Sequence, residues 1–144
     1  AALVKRFGLI ATEQLQIANM TRSAKGTVEK PGKNVKQKAG LNREILAPGP
    51  AQFLKMTTYK AEEAGTPDMR APTKKIKPSQ CCPGCGQVKA KTLSERWHFC
   101  PCGHSEPRDA AAARVCLIWA LKELQAGTVL GGVTAAKPSP ILVL

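Results

Sequence analysis

The chain has 144 residues, a net charge of +12 and only 4% aromatic residues. This composition excludes a large aromatic core. The sequence shows neither a secretory signal at its start nor an apolar run of roughly 18 residues that would span a membrane. The excess of Lys and Arg predicts a nucleic-acid partner, because neutralising phosphates releases condensed counterions. Six cysteines in a chain without a signal peptide favour metal binding in a reducing cytoplasm over disulfide bonds.

The amino-terminal half combines a short strand with basic and helical segments. Residues 1–8 read as a helix end, and the apolar run 9–12 predicts a buried strand with Glu13 at its carboxyl end, where α/β sheets usually carry their chemistry. Residues 18–40 predict a loop, and residues 41–64 a helical segment that Pro48 and Pro50 divide or break. The loop's candidate phosphate-binding side chains are Arg22, Lys25, Lys33, Lys36 and Lys38.

The second half predicts one dominant helix. A short strand fits near residues 69–71. The Ala- and Leu-rich pattern of residues 108–125 predicts an amphipathic helix, and the composition of residues 127–144 predicts a mobile tail. Asp109 stands at the start of this helix. It fits two roles, a helix N-cap or a ligand that holds Mg²⁺ together with Glu13.

Two closely spaced cysteine pairs form the strongest motif. Cys82 and Cys85 have C-x-x-C spacing, and after fourteen intervening residues Cys100 and Cys102 have C-x-C spacing. Four thiolates presented in this way predict one tetrahedral zinc ion, with a glycine after each pair to turn the backbone. Because the second pair is one residue short, His104 could replace Cys102, and Cys81 could compete with Cys82. The alternative is a set of reduced, buried cysteines that bind no metal.

The residues between the pairs predict a hairpin over 88–99 that returns the second pair to the first. Lys89, Lys91 and Arg96 flank Trp97 and His98, a mixture suited to phosphate contact and base stacking. Packing of Trp97 against the metal site explains that residue equally well.

Several ordered motifs resemble the OrfB/TnpB transposon proteins, a family of RNA-guided DNA endonucleases related to type V CRISPR effectors. The resemblance covers about residues 3–122. The motifs are Ile-Ala-Thr-Glu13-Gln-Leu-Gln-Ile-Ala-Asn-Met20, Gly40-Leu41-Asn42-Arg43, Tyr59-Lys60-Ala61-Glu62, Ser79-Gln80, and the cysteine segment that ends in Arg108-Asp109.

The resemblance implies an α/β fold, a partial RuvC or RNase H-like domain with an inserted four-cysteine zinc ribbon. Residues 1–78 would be the partial RuvC-like region, 79–105 the ribbon, 106–126 the last helix and 127–144 the tail. Glu13 and Asp109 would be the second and third catalytic carboxylates that hold Mg²⁺, and the four cysteines of the pairs would hold zinc. The implied partners are DNA and a guide RNA in a prokaryotic cytosol.

Some positions depart from the family pattern. Nothing in the sequence matches the family's first catalytic Asp, Pro107 replaces an acidic residue, and Ala111 stands where the family has Asn. We therefore expect a truncated chain that is inactive by itself. A non-catalytic zinc-ribbon module that binds DNA or RNA is the alternative, and a structural ribbon in a larger machine is a third. The sequence carries no signal for an oligomeric state.

Overall fold

A computed structural model describes residues 2–92, 94–127 and 142–143. The chain divides into two compact units, one formed by residues 1–14 with 60–144 and the other by residues 15–59. The elements in chain order are α1 (Ala2–Arg6), β1 (Ile10–Glu13), α2 (Ile17–Met20), α3 (Val35–Leu46), α4 (Pro50–Ala64), β2 (Asp68–Ala71), α5 (Thr73–Ile76), β3 (Trp97–Phe99), β4 (Ser105–Pro107), α6 (Arg108–Gln125) and β5 (Leu142–Val143).

A parallel sheet organises the first unit. β1 lies in the middle, with β2 on one side and β5 on the other. Alternate residues of β1 face opposite layers: Ala11 packs with Ala120 of α6, whereas Ile10 packs with Val4 and Ala61. Burial on both faces explains why the strand reads as a continuous apolar run. The strand ends at Glu13, as the sequence predicts within one residue.

The cysteine segment folds into two small loops that each close on themselves. β3 and β4 pair antiparallel around the second cysteine pair, and an isolated bridge between Cys81 and Val88 closes the first. The predicted hairpin over 88–99 is wrong, because the chain reverses direction at each cysteine turn and the described residues between 88 and 97 form no strand. β4 runs directly into α6 with no intervening residue.

The second unit is mainly helical. α3 begins at Val35, so the end of the predicted basic loop is helix. Lys, Gln and Ala are good helix formers, and here they outweigh Gly40, which costs about 1 kcal/mol inside a helix. The helical segment is divided as the prolines predict, because α3 ends at Leu46 and α4 begins at Pro50.

Two sequence-based expectations concern the ends of elements and of the chain. The predicted helix over 108–125 coincides with α6. Of the predicted mobile tail, residues 128–141 and 144 lie outside the described residues, and Leu142–Val143 pair with β1. In the described part of the chain, no helix combines the length and the apolar character needed to cross a membrane.

Candidate metal centre and carboxylate pair

Four cysteine sulfurs meet at one point of the first unit. The Sγ atoms of Cys82, Cys85, Cys100 and Cys102 all lie within 4.8 Å of one another. Cys82 Sγ is 3.6 Å from Cys102 Sγ, and Cys85 Sγ is 3.5 Å from Cys100 Sγ. Four sulfurs arranged tetrahedrally at about 2.3 Å from a zinc ion would be about 3.8 Å apart. The cluster therefore has the dimensions of a site that can hold a metal ion.

Glycines shape both cysteine loops. Gly86 has a φ of +76° and Gly103 a φ of +89°, a region that side chains with a Cβ rarely adopt. The Gly86 N–H donates to Cys82 O at 2.8 Å, and the Gly103 N–H donates to Cys100 O at 3.0 Å. The predicted role of these two glycines is thus confirmed: each allows the tight turn that brings a pair of sulfurs together.

The acidity of the thiols is uneven across the cluster. Burial opposes ionisation of Cys82, but hydrogen bonds from the Cys85 N–H, the His98 side chain and the Gly84 N–H lower its pKa to about 5. The Cys102 N–H favours the Cys100 thiolate, yet burial and the neighbouring cysteine side chains raise the pKa of Cys100 to about 12. Thiolates this close repel one another, so a divalent cation is the group that would allow all four to ionise.

The two alternative ligands do not join the cluster. The Cys81 thiol contacts the carbonyl oxygens of Cys82 at 3.7 Å and Gly86 at 3.6 Å, and burial raises its pKa. His104 Nε2 is 2.7 Å from Glu106 Oε1. Glu106 also accepts a hydrogen bond from Arg114 Nε at 2.9 Å, so this carboxylate links β4 to α6. Both residues thus have contacts outside the four-sulfur group.

His98 is the site residue that sequence reasoning misplaced. It is 2% exposed, and its Nδ1 accepts a hydrogen bond from Lys91 Nζ. It is therefore not available to a nucleic acid, and its side chain interacts with Cys82. The signal lay in the alternation of a strand: in Trp97-His98-Phe99 the outer two residues share one face and the middle one takes the other.

The two predicted catalytic carboxylates come within electrostatic reach of each other. Glu13 ends β1, and Asp109 lies in the first turn of α6. Burial raises the pKa of Glu13, and the negative charge of Asp109 raises it further. Burial, together with the charge of Glu13, also raises the pKa of Cys116 to about 12. Cys116 is thus a neighbour of Glu13 that the sequence did not single out.

The N-cap interpretation of Asp109 is wrong. The cap position is Pro107, and no side-chain hydrogen bond caps the helix. The Asp109 side chain is 91% exposed, and its Oδ1 is 3.8 Å from Arg108 Nε. Its carboxylate is therefore accessible to a ligand.

The predicted phosphate-binding cations fall into two groups. Lys38 Nζ donates to Met20 O at 2.6 Å, and Lys91 Nζ donates to His98, so both ammonium groups also hold the fold together. The remaining six residues are exposed: Arg22, Lys25, Lys33 and Lys36 in the second unit, and Lys89 and Arg96 in the first.

Two aromatic side chains lie on the outer face of β3. Trp97 is 48% exposed and Phe99 is 68% exposed, with ring centroids 6.3 Å apart. Trp97 Nε1 donates to Ser105 Oγ at 2.8 Å, which ties the indole to the neighbouring strand. The half-exposed indole keeps ring surface available to a partner.

Comparison with known proteins bears on the whole cysteine segment. Residues 51–116 match the family model described as Cas12f1-like, TNB domain. The resemblance to the OrfB/TnpB family is confirmed over part of the chain. Over 100 residues, the chain is 37% identical to a protein of Escherichia coli (strain K12) named putative RNA-guided DNA endonuclease InsQ. The match covers 69% of this chain but only 24% of that relative.

Proposed function

We propose that this chain is part of an RNA-guided DNA endonuclease of the OrfB/TnpB type. In this proposal, a RuvC-like region contributes Glu13 and Asp109 to the nuclease site, and the cysteine segment is a zinc ribbon that contacts nucleic acid. The observation that carries the proposal is the effect of Asp109 on the pKa of Glu13. Two carboxylates from distant parts of the sequence are close enough for the charge of Asp109 to act on Glu13, at the carboxyl end of a parallel strand, where such folds usually carry their chemistry.

The metal of the ribbon is proposed to be zinc. Four thiolates form a soft ligand set, which suits zinc and which Mg²⁺ or Ca²⁺ would not select. The four sulfurs lie within 4.8 Å of one another, so all four can act as ligands at once. These features favour a closed structural site over a catalytic one, because a catalytic zinc keeps one ligand position open.

The Glu13–Asp109 pair is proposed to hold Mg²⁺. Carboxylate oxygens are the ligands that this hard cation prefers, and Mg²⁺ ions at such a site activate water and stabilise the departing oxygen of a phosphodiester. Burial first and the charge of Asp109 second raise the pKa of Glu13, so a cation bound by both carboxylates would favour its charged form. Because the sequence offers no match to the first family carboxylate, we expect these 144 residues to be inactive by themselves.

The nucleic-acid partners are proposed to be DNA and a guide RNA. The net charge of +12 and the exposed basic side chains suit contact with phosphate backbones. The Trp97–Phe99 pair, which follows Arg96 in the chain, adds exposed ring surface that suits stacking with unpaired bases. In such systems most sequence specificity comes from base pairing with the guide.

A chimera with the Escherichia coli relative tests the catalytic part of this proposal. The segment of InsQ that matches this chain would be replaced by the corresponding residues of this chain, and guide-dependent DNA cleavage would be measured. We expect Glu13→Gln and Asp109→Asn each to reduce cleavage by at least about 100-fold, because each removes a ligand of the catalytic cation. Glu44→Gln is the matched control, since Glu44 is an exposed carboxylate on α3.

The same experiment separates the second candidate function, a non-catalytic zinc-ribbon module. That candidate is favoured by the exposed aromatic pair, which serves binding without any chemistry. If the chimera cleaves equally well with Glu13→Gln, the nuclease assignment of Glu13 is wrong. If both carboxylate variants still bind DNA and RNA normally, binding is separate from catalysis.

A further inference from the structure

We propose that His98 is a positioning residue of the cysteine centre, which donates its Nε2–H to the sulfur of Cys82. The inference rests on the proposed zinc ribbon and adds a residue that none of the sequence motifs assigns to it. His98 is not itself a ligand in this arrangement. Its role is to orient and stabilise one thiolate.

The tautomer of His98 follows from its contact with Lys91. Lys91 Nζ lies within hydrogen-bonding distance of His98 Nδ1. A lysine ammonium has three donors and no acceptor, so Nδ1 must accept this bond with its lone pair. A neutral imidazole that accepts at Nδ1 carries its proton on Nε2. Lys91 therefore keeps a proton on the nitrogen that faces inward.

The surroundings of Nε2 point to sulfur as its acceptor. The atom is buried and has no hydrogen-bond partner of ordinary geometry among the described residues. Leaving such a donor unsatisfied costs about 1–3 kcal/mol. The His98 side chain interacts instead with the thiol of Cys82, and this contact is one of the causes that lower the Cys82 pKa. A thiolate is an adequate acceptor for a buried N–H.

Because Cys82 is buried, the contact with His98 is more important for its thiolate than it would be for the exposed cysteines. Cys82 is 1% exposed, whereas Cys85 and Cys102 are exposed to solvent. Water can solvate the negative charge on the exposed sulfurs but cannot reach Cys82. The N–H groups of Gly84 and Cys85 and the imidazole of His98 take the place of that water. Partners of this kind around a metal ligand are typically worth 10- to 100-fold in metal affinity.

Three substitutions in the full 144-residue chain test the role of His98. His98→Phe fills the space without an N–H, His98→Gln keeps a donor at similar reach, and Lys91→Met removes the group that fixes the tautomer. Zinc affinity would be measured by competition with a chelator of known affinity. The cobalt-loaded chain would report the thiolate-to-metal charge-transfer band.

We expect His98→Phe to weaken zinc binding by about 10-fold or more, and His98→Gln to stay within about threefold of the parent chain. His98→Phe should also move the charge-transfer band to longer wavelength, because a sulfur without its hydrogen bond gives up an electron more easily. Lys91→Met should shift the band in the same direction by a smaller amount. If His98→Phe does not fold, the band shift of Lys91→Met tests the proposal in its place.

The other histidine provides the matched control. His104 lies in the same segment but contacts Glu106 in place of sulfur, so His104→Phe should leave the band energy unchanged. The proposal would be overturned if His98→Phe left the band energy unchanged, or if His98→Gln and His98→Phe weakened zinc binding equally. His98 would then be an ordinary packing residue. Failure of the parent chain to bind any zinc would instead overturn the zinc ribbon itself.

Discussion

At the scale of single residues, the most informative group is the carboxyl of Glu13. The side chain ends a buried strand, and its pKa is raised first by burial and then by the charge of Asp109. An exposed carboxylate at the start of α6 and a half-buried one on β1 therefore repel each other. A divalent cation bound between the two carboxylates would reduce this repulsion.

Asp109→Asn tests this coupling directly. Removing the negative charge should lower the pKa of Glu13, while burial, the larger cause, should keep it above the ordinary value of 4.5. The pKa would be read from the Glu13 side-chain carbon signal in an NMR titration. Because Asp109 does not cap the helix, the free energy of unfolding should fall by less than about 1 kcal/mol.

The sign of the pH dependence follows from the same shift. A carboxyl with a raised folded-state pKa binds its proton more readily in the folded chain, so it favours folding as the pH falls from neutral towards 4.5, and this contribution is lost as the pH rises through the folded pKa. Asp109→Asn should flatten that part of the stability curve. A steeper curve, or an unchanged Glu13 pKa, would contradict the proximity of the two carboxylates.

At the scale of elements, glycine has opposite consequences in the cysteine loops and in helix α3. Gly86 and Gly40 both have open space where a Cβ would be added. They differ in backbone conformation: Gly86 has a φ of +76° in a turn, whereas Gly40 lies inside a helix. Replacing either glycine by alanine therefore measures how the backbone conformation at that position contributes to stability, without a steric clash of the added Cβ.

We expect Gly86→Ala to destabilise the cysteine loop by about 1–2 kcal/mol, because a Cβ is disfavoured in the left-handed region. Gly40→Ala should stabilise α3 by about 0.5–1 kcal/mol. Amide exchange of each segment, measured by mass spectrometry, separates the two local effects. Equal effects of the same sign would mean that the turn at Gly86 does not need its positive φ.

At the scale of the whole molecule, the sheet and the cysteine loops are stabilised by different means. The sheet has an apolar core in which Leu9, Ala11 and Met69 pack with Ala120 of α6. The cysteine loops have little apolar burial and are held by a few backbone hydrogen bonds and the sulfur cluster. Metal binding would therefore supply much of the folding energy of the loops but little of that of the sheet.

Chelation should accordingly unfold one part of the chain and spare the other. In hydrogen exchange with mass spectrometry, residues 80–104 should lose protection when metal is removed, while β1 and the second half of α6 keep theirs. Readdition of zinc is the control that should restore the original pattern. Unchanged protection in the loops would exclude a structural metal, and loss of protection throughout would show that the sheet also depends on it.

Much of the local structure was predictable because its signals are short in range. Cysteine spacing, the glycine after each pair, the apolar run before Glu13 and the helical period of residues 108–125 are all patterns within a few turns of chain. Each requires a particular backbone geometry whatever the rest of the molecule does. The start of α3 was missed because Gly40 weakens an otherwise helical signal, and the hairpin was misplaced because strand pairing is not a local property.

The sequence by itself therefore determined the ligand types, the metal-site spacing, the basic charge and the long helix α6. Only the tertiary structure decided that Asp109 acts on Glu13, that His98 turns inward to Cys82, and that Lys38 and Lys91 make contacts within the fold. The physical reason is the same in each case. Each contact joins residues that are distant in the local sequence pattern, and their meeting depends on how strands, helices and loops pack, which no short stretch of sequence encodes.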